Sequence, residues 1–413
     1  MGKTIVEKIL GRASGNPDAS AAEIVSAGID FMMTNDAVGE LTVQAFEELG
    51  RAPWDREKIA IILDHYVPAT TENAARVHSI LRNFAKKHGL RLFDMEGVCH
   101  QLMVEEFVRP GDVIVATDSH TCTYGGLGAF ATGIGSTDGA AAMATGRIWL
   151  KIPDTIRIDL HGRLPEHVHA KDVILKIIGD LGADGATYKA LQFCGEGAGQ
   201  ISSDGRFTMC NMAIEAGAKT GIFEPDDVTR DLIGTRGTCF SSDPDASYCR
   251  RLSIDLSRLG PQVSCPWSVD NVVPIEEIQG TAIDQAFVGA CTNGRIEDLR
   301  FTAAVLKDKR IHPDVRFLIA PASRKVLQQA EKEGLVEVFL RAGATICNPG
   351  CSTCFGGQGM LWEGETCIGS HNRNFRGRMG HKDSKAFLAS PETVAVSAVA
   401  AKITDPRSFN LTK

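Results

Sequence analysis

Cys351 and Cys354 stand three apart in "NPGCSTC", directly behind the apolar run "AGATIC". Thiols at that spacing share one side of a turn, which suits metal ligation, a redox pair or plain burial. A redox pair normally opens a helix after the first strand of a small domain, whereas this one follows a Pro-Gly corner near residue 351. A structural zinc site wants two more ligands at close spacing, and Cys347 and Cys367 are available. A further reading enlists Cys291 of "GACTNGR" as a distant third ligand, and spacing alone does not choose it over Cys347 or Cys367. Three thiolates are one short of the four that hold an ordinary cubane cluster, and that shortage would leave one iron with an open position.

Histidines carry a second pattern. His65, His100 and His120 lie at or near the ends of apolar runs, and two follow an acid, in Asp64-His65 and Asp118-Ser119-His120. An isolated histidine is usually structural, but a neighbouring carboxylate raises its pKa and holds its tautomer, which suits proton transfer. Arg373, Arg376 and Arg378 make a local basic patch, which reads either as a solvated loop face or as a seat for a small anion. The glycine-rich stretch Gly126–Ser136 resembles a nucleotide fingerprint, but "SHTCTY" separates it from the preceding strand. Close packing at a helix start is its expected role. The chain contains no Walker A pattern, His-Glu-x-x-His or nucleophile elbow.

The elements that must position these groups are short β-branched runs ending in polar residues: "KIAIILDHYV", "GDVIVATDSH", "IDQAFVGACTNG", "VRFLIAPAS" and "GATICNPGC". Between them, amphipathic stretches at 71–88 and 323–342 read as helices. Such alternation predicts an α/β protein with mostly parallel sheets, whose ligands sit outside the carboxyl ends of strands. Asp64-His65, Asp118-Ser119-His120 and Cys291 all fall at such ends. Fresh patterns near 154 and a linker-like "CPWSVDNVVPIEEIQG" divide the chain into domains at 1–153, 154–272 and 273–413.

Composition narrows the partners. With 43% hydrophobic residues and a net charge of -7, the chain has a globular make-up and no general attraction to polyphosphate, so nucleic acid is not an expected partner. The twelve cysteines are scattered rather than packed into a secreted frame, and the first helix-like segment carries Glu7 and Lys8 where a leader would be apolar. No run reaches the roughly 18 apolar residues of a membrane span. The expected location is therefore the cytoplasm, where the sequon at Asn410 would have no use.

Ten segments in order, among them "ILDHYVP", "EGVCHQ", "GDVIVATDSHTCTYGGLGAFATGIGSTD", "CNMAIEAGAKTGIFEPDD", "VGACTNGRIEDLR", "NPGCSTC" and "NRNFRGR", resemble the aconitase superfamily and its two-subunit hydratase branch. The resemblance implies three α/β domains around a central iron-sulfur site, without the swivelling fourth domain of single-chain members. It implies that Cys291, Cys351 and Cys354 hold a [4Fe-4S] cluster with one open iron, near Asn293 and Asn372. Asp64 with His65 would protonate the departing hydroxyl. His100, Asp118, His120 and Glu215 would surround the water, assisted by Ser119 and Asn211, while Arg373 and Arg378 bind a substrate carboxylate. A "GSSRE"-like loop with the serine base does not occur in the chain, so a small subunit is expected to supply it. The implied substrate is a small hydroxy di- or tricarboxylic acid, isopropylmalate first, then dimethylmalate, citramalate or maleate, and homoaconitate.

Two positions depart from the pattern. Ala290 stands where serine usually precedes the first cluster cysteine, and His371 where serine or threonine is common before "NRN". Readings from other classes are a zinc-stabilised interaction protein and a cluster-free RNA binder; the acidic balance speaks against the second.

Overall fold

The computed structural model describes residues 2–409, which leaves Asn410 of the sequon outside the described residues. The chain forms two compact units, Met1–Met95 with Leu102–His161 and Ala186–Ile254, and Glu96–Gln101 with Gly162–Gly185 and Asp255–Lys413. Both are mixed α/β.

The first unit is built on a five-stranded sheet in the order Arg91–Asp94, Ile59–Leu63, Phe31–Asn35, Val113–Ala116, Phe130–Gly133, parallel throughout. Ile59–Leu63 and Val113–Ala116 are buried at every position, as expected of parallel strands covered on both faces. The helix Glu72–His88 covers the sheet through Val77, Leu81 and Phe84. It begins where the Thr71 side chain accepts the Ala74 N–H and ends at left-handed Gly89, behind the basic turn Lys86-Lys87-His88. A four-stranded sheet, ordered Thr220–Phe223, Ala190–Cys194, Thr155–His161, Arg250–Asp255, and a two-stranded ribbon of Ile24–Gly28 with Arg147–Lys151 complete the unit.

The glycine-rich stretch does pack closely, as expected: a Cβ on Gly133 would lie 2.5 Å from the Asp118 carbonyl oxygen. Gly133 ends the strand Phe130–Gly133, and the helix Ser136–Thr145 follows.

The second unit carries a seven-stranded sheet in the order Val272–Pro274, Gln262–Ser264, Lys385–Leu388, Thr366–Gly369, Gln285–Gly289, Arg316–Ala320, Thr345–Ile346. The last five strands run parallel. The stretch read as a linker is instead half of an antiparallel hairpin, with Ser264 paired to Val272, because Val272 and Val273 have strand propensity and Asn271 closes the turn onto Ser268. The expected helix over 323–342 is two helices, Arg324–Lys332 and Leu335–Ala342. Left-handed Gly334 interrupts the first and opens the second. No described helix is long and apolar enough to cross a membrane.

Candidate functional site

In the first unit the neighbouring strands Ile59–Leu63, Phe31–Asn35 and Val113–Ala116 end side by side, so the residues just beyond them are brought together. Asp64 Oδ1 lies 2.8 Å from His65 Nδ1, and His65 Nε2 lies 3.7 Å from Asp118 Oδ2. Asp36 underlies the group: its Oδ1 accepts the N–H groups of Asp64 (3.1 Å) and His65 (2.9 Å), and its Oδ2 accepts that of Tyr66 (2.9 Å) and pairs with His78 Nε2 (2.9 Å). Burial opposes a charge on His65, but the carboxylates of Asp64, Asp118 and Asp36 outweigh it and raise its pKa to about 10. The imidazolium therefore persists through neutral pH.

Burial likewise opposes charge on Asp36, yet the His78 hydrogen bond, the His65 charge and the backbone donors hold its pKa down to about 2. Its contribution to stability is complete above the unfolded carboxyl pKa and is lost as pH falls towards 2. His65 behaves in the opposite sense, with its contribution complete below the unfolded imidazole pKa and lost as pH rises towards 10. Asp36→Asn leaves the half-buried His65 and the buried His78 without their shared anion. It is expected to cost about 3–5 kcal/mol in a denaturant titration at neutral pH, with the difference shrinking in acid. The ligand atoms of Asp36, Asp64 and His65 lie within 4.8 Å of one another, a spacing a metal ion could use. The two Asp36 oxygens are already committed to four hydrogen-bond partners, so an ion pair is the better description.

A second chain of bonds runs from the same strand ends. Asp118 Oδ1 accepts the His120 N–H at 2.9 Å, Asp118 Oδ2 receives Asn35 Nδ2 at 3.1 Å, and Ser119 Oγ lies 3.3 Å from His120 Nδ1. His120 Nε2 pairs with Glu215 Oε1 at 2.7 Å. Glu215 follows the helix Ser203–Met212, whose Asn211 is fully buried and donates to Thr123 Oγ1 at 2.8 Å. The structure thus joins Asp64, His65, Asp118, Ser119, His120 and Glu215 in one network, with Asn211 beside it.

The second unit holds the thiols. The strand Gln285–Gly289 turns abruptly into the short helix Ala290–Asn293: Gly289 has φ +154°, where a Cβ would lie 2.5 Å from the Ala320 carbonyl oxygen, and Ala290 has φ +65°. A positive φ at alanine is strain of the kind that collects at functional sites. Buried Arg295 steadies this turn by donating to the carbonyls of Thr292 (2.9 Å) and Cys291 (2.8 Å), and its Nε reaches Gln101 Oε1 at 2.9 Å. Asp298 closes the same turn, accepting Asn293 Nδ2 and the Arg295 N–H, each at 2.9 Å.

Cys351 caps the 3-10 turn Ser352–Phe355 and Cys354 lies within it, with the Cys354 N–H donating to the Cys351 carbonyl at 3.0 Å. Asn372 connects the distant cysteine to this pair: its Nδ2 donates to Cys291 Sγ at 3.4 Å, and its Oδ1 accepts from Cys354 Sγ at 3.5 Å. Arg378 adds charge, with Nη2 3.1 Å from Cys354 Sγ and Nε 3.2 Å from the Cys354 carbonyl. The hydrogen bond from Cys351 and the Arg378 guanidinium hold the Cys354 thiol well below its usual range despite burial. The rival cysteines behave differently: burial raises Cys347 and pushes Cys367 up to about 12.

The remaining expected residues are His100, buried in the first turn of the helix Cys99–Glu106, and Arg373, half-buried beside Asn372. Sequence reasoning had no role for Asp36, His78, Arg295, Asp298 or Lys171. Arg295 and Asp298 lie inside "GACTNGRIEDLR", and a buried-looking charge beside a candidate ligand was the available signal.

A family model described as the aconitase family (aconitate hydratase) matches residues 7–401. A Methanopyrus kandleri protein named 3-isopropylmalate dehydratase large subunit 1 is 53% identical over 99% of this chain and 100% of its own length. An Archaeoglobus fulgidus protein named 3-isopropylmalate dehydratase large subunit 2 is 47% identical over 99% and 100% of the two lengths. A Methanothermobacter thermautotrophicus protein named "Probable methanogen homoaconitase large subunit" is 46% identical over 98% of this chain and 97% of its own length. Among solved structures, the holo form of Thermococcus kodakaraensis aconitase X matches 90% of this chain and 89% of its own with a TM-score of 0.54 at 13% identity, a likeness of fold.

Proposed function

This chain belongs to the aconitase family, and from that premise we propose that it is the large subunit of a 3-isopropylmalate dehydratase. The reaction is a hydro-lyase one: a C–O and an adjacent C–H bond of a small hydroxy acid break, water leaves, and rehydration at the other carbon completes the isomerisation. The observation that carries this reading is the junction at which Asn372 links Cys291 to Cys354 beside Arg378.

That junction fits an iron-sulfur cluster. Cys291, Cys351 and Cys354 are all buried, and the Arg378 guanidinium and the Asn372 amide already serve the sulfurs of Cys354 and Cys291. When bound, a cluster on these three thiolates supplies Lewis acidity at an iron that no protein thiol holds.

The chain's own residues do the rest. Asp64 engages Nδ1 of the His65 imidazolium and leaves Nε2 as the proton-bearing atom for the departing hydroxyl. Asp118 and Glu215 orient His120 through its N–H and its Nε2, and with Ser119 and Asn211 this set handles the water. Arg373 and Arg378 hold a substrate carboxylate, Arg378 from a position already in contact with Cys354. The base that removes the carbon-bound proton comes from a small subunit, a reading supported by the "large subunit" names of the relatives.

The homoaconitase relative supports a second substrate reading. Co-purified with its small subunit and reconstituted without oxygen, the protein is expected to interconvert 2- and 3-isopropylmalate faster than it hydrates homoaconitate, followed by absorbance of the unsaturated intermediate. The reverse preference would replace the substrate assignment. Appreciable turnover by the large chain alone would remove the need for a partner.

A further inference from the structure

Lys171 is an unusual residue to find where it lies. It is the second residue of the helix Ala170–Leu181, and none of its surface is exposed. Its Nζ donates to two backbone carbonyls, Ser370 at 2.8 Å and His371 at 2.6 Å. A buried ammonium that bonds only peptide oxygens is costly unless other negative charge lies near it.

The helix start is held firmly in place. Asp172 accepts the His169 N–H (2.8 Å) and the Gln262 N–H (2.9 Å), and His169 Nε2 meets Glu392 Oε2 at 2.6 Å. The lysine is therefore delivered to the carbonyls by a fixed scaffold. Those carbonyls belong to the turn that leads into Asn372, the residue whose amide touches both Cys291 and Cys354. Ser370 ties the same turn to the other cysteine segment, its Oγ accepting the Gly289 N–H at 3.2 Å. Burial holds the Lys171 pKa down at about 7 even against the fields of Asp298, Cys354, Cys291 and Asp172, each of which raises it. The charged form is thus the one that the thiols favour.

Resting on the cluster reading above, we propose that Lys171 is a positioning residue of the thiol centre: it fixes the turn that aims Asn372 and supplies a buried positive charge to offset three thiolates. Arg378 provides charge by direct contact with sulfur; Lys171 provides it one peptide away.

Two full-length variants, reconstituted with iron and sulfide without oxygen, test this. Lys171→Gln keeps an N–H donor for the carbonyls and removes the charge. It is expected to fold with the wild-type circular dichroism spectrum, to surrender iron to a chelator about 10- to 100-fold faster, and to show a cluster midpoint potential moved to more negative values. Lys171→Arg, which retains the charge, is expected to bring the potential back to that of the wild type. A purely structural lysine would leave the potential unmoved.

Wild-type iron release and potential in Lys171→Gln would overturn the proposal. So would a Lys171→Gln chain that fails to fold before iron is added, or a Lys171→Arg chain with the same shifted potential. A wild-type chain that takes up no iron or sulfide would instead overturn the cluster reading itself, and the two failures are thereby distinguished.

Discussion

Cys354→Ala is expected to reduce turnover of the reconstituted two-subunit enzyme by well over about 100-fold, more than the loss of a merely supporting residue costs. Cys354 is where the interactions of the thiol centre converge: the Cys351 hydrogen bond lowers its pKa, Arg378 Nη2 contacts its sulfur, and its thiol meets the Asn372 amide that also reaches Cys291. Removing the sulfur takes away one of the three proposed ligands and leaves Arg378 facing an empty place. The fold has other supports, because the turn keeps its backbone bonds and the surrounding sheet core is apolar. The variant should therefore lose iron and activity while its apo form melts within a few degrees of wild type. A large drop in the melting temperature of the apo protein would make Cys354 a structural residue. Cys367→Ala is the matched control: its thiol is pushed up to about 12 by burial, and activity and iron content are expected to stay near wild type.

His65→Gln is expected to lower kcat by about 100- to 10,000-fold with little change in KM, the range lost when a positioned proton donor is removed. An amide can fill the space of the imidazole and accept bonds, but it carries no transferable proton. The companion variant Asp64→Asn tests the direction of the pKa. Asp64 is the nearest of the three carboxylates that raise His65 to about 10, and an imidazole must be protonated to act as an acid. In the wild type this group therefore does not limit the rate until pH approaches 10. In Asp64→Asn the alkaline limb of kcat/KM is expected to move down towards the ordinary imidazole range. An unshifted limb would mean that another group is the acid.

Much of the framework was legible because burial on both faces writes itself into β-branched runs. "KIAIILDHYV" and "GDVIVATDSH" are the strands Ile59–Leu63 and Val113–Ala116, and the polar residues after them do form one network. Local signals also marked the helix Glu72–His88, with its threonine cap and terminal glycine. Two local readings fail for local reasons, at Gly334, where a left-handed residue splits a helix, and in the linker-like 265–280, where Val272–Pro274 pairs as a strand.

What the sequence could not display was long-range pairing. Asp36 serves His78 from 42 positions away, and Lys171 reaches Ser370 across 199. Nothing local announces such partners. The choice of Cys291 over Cys347 and Cys367 had the same character: it rests on resemblance, with the Asn372 contacts to Cys291 and Cys354 in support.

The central claim is that this chain is the cluster-bearing half of a hydro-lyase, and metal analysis tests it most directly. Iron, acid-labile sulfide and zinc would be counted in the protein purified and reconstituted without oxygen. The account predicts about four irons with matching sulfide and no zinc per chain. One zinc without sulfide would contradict it, reducing "NPGCSTC" to part of a structural metal site and the family likeness to ancestry.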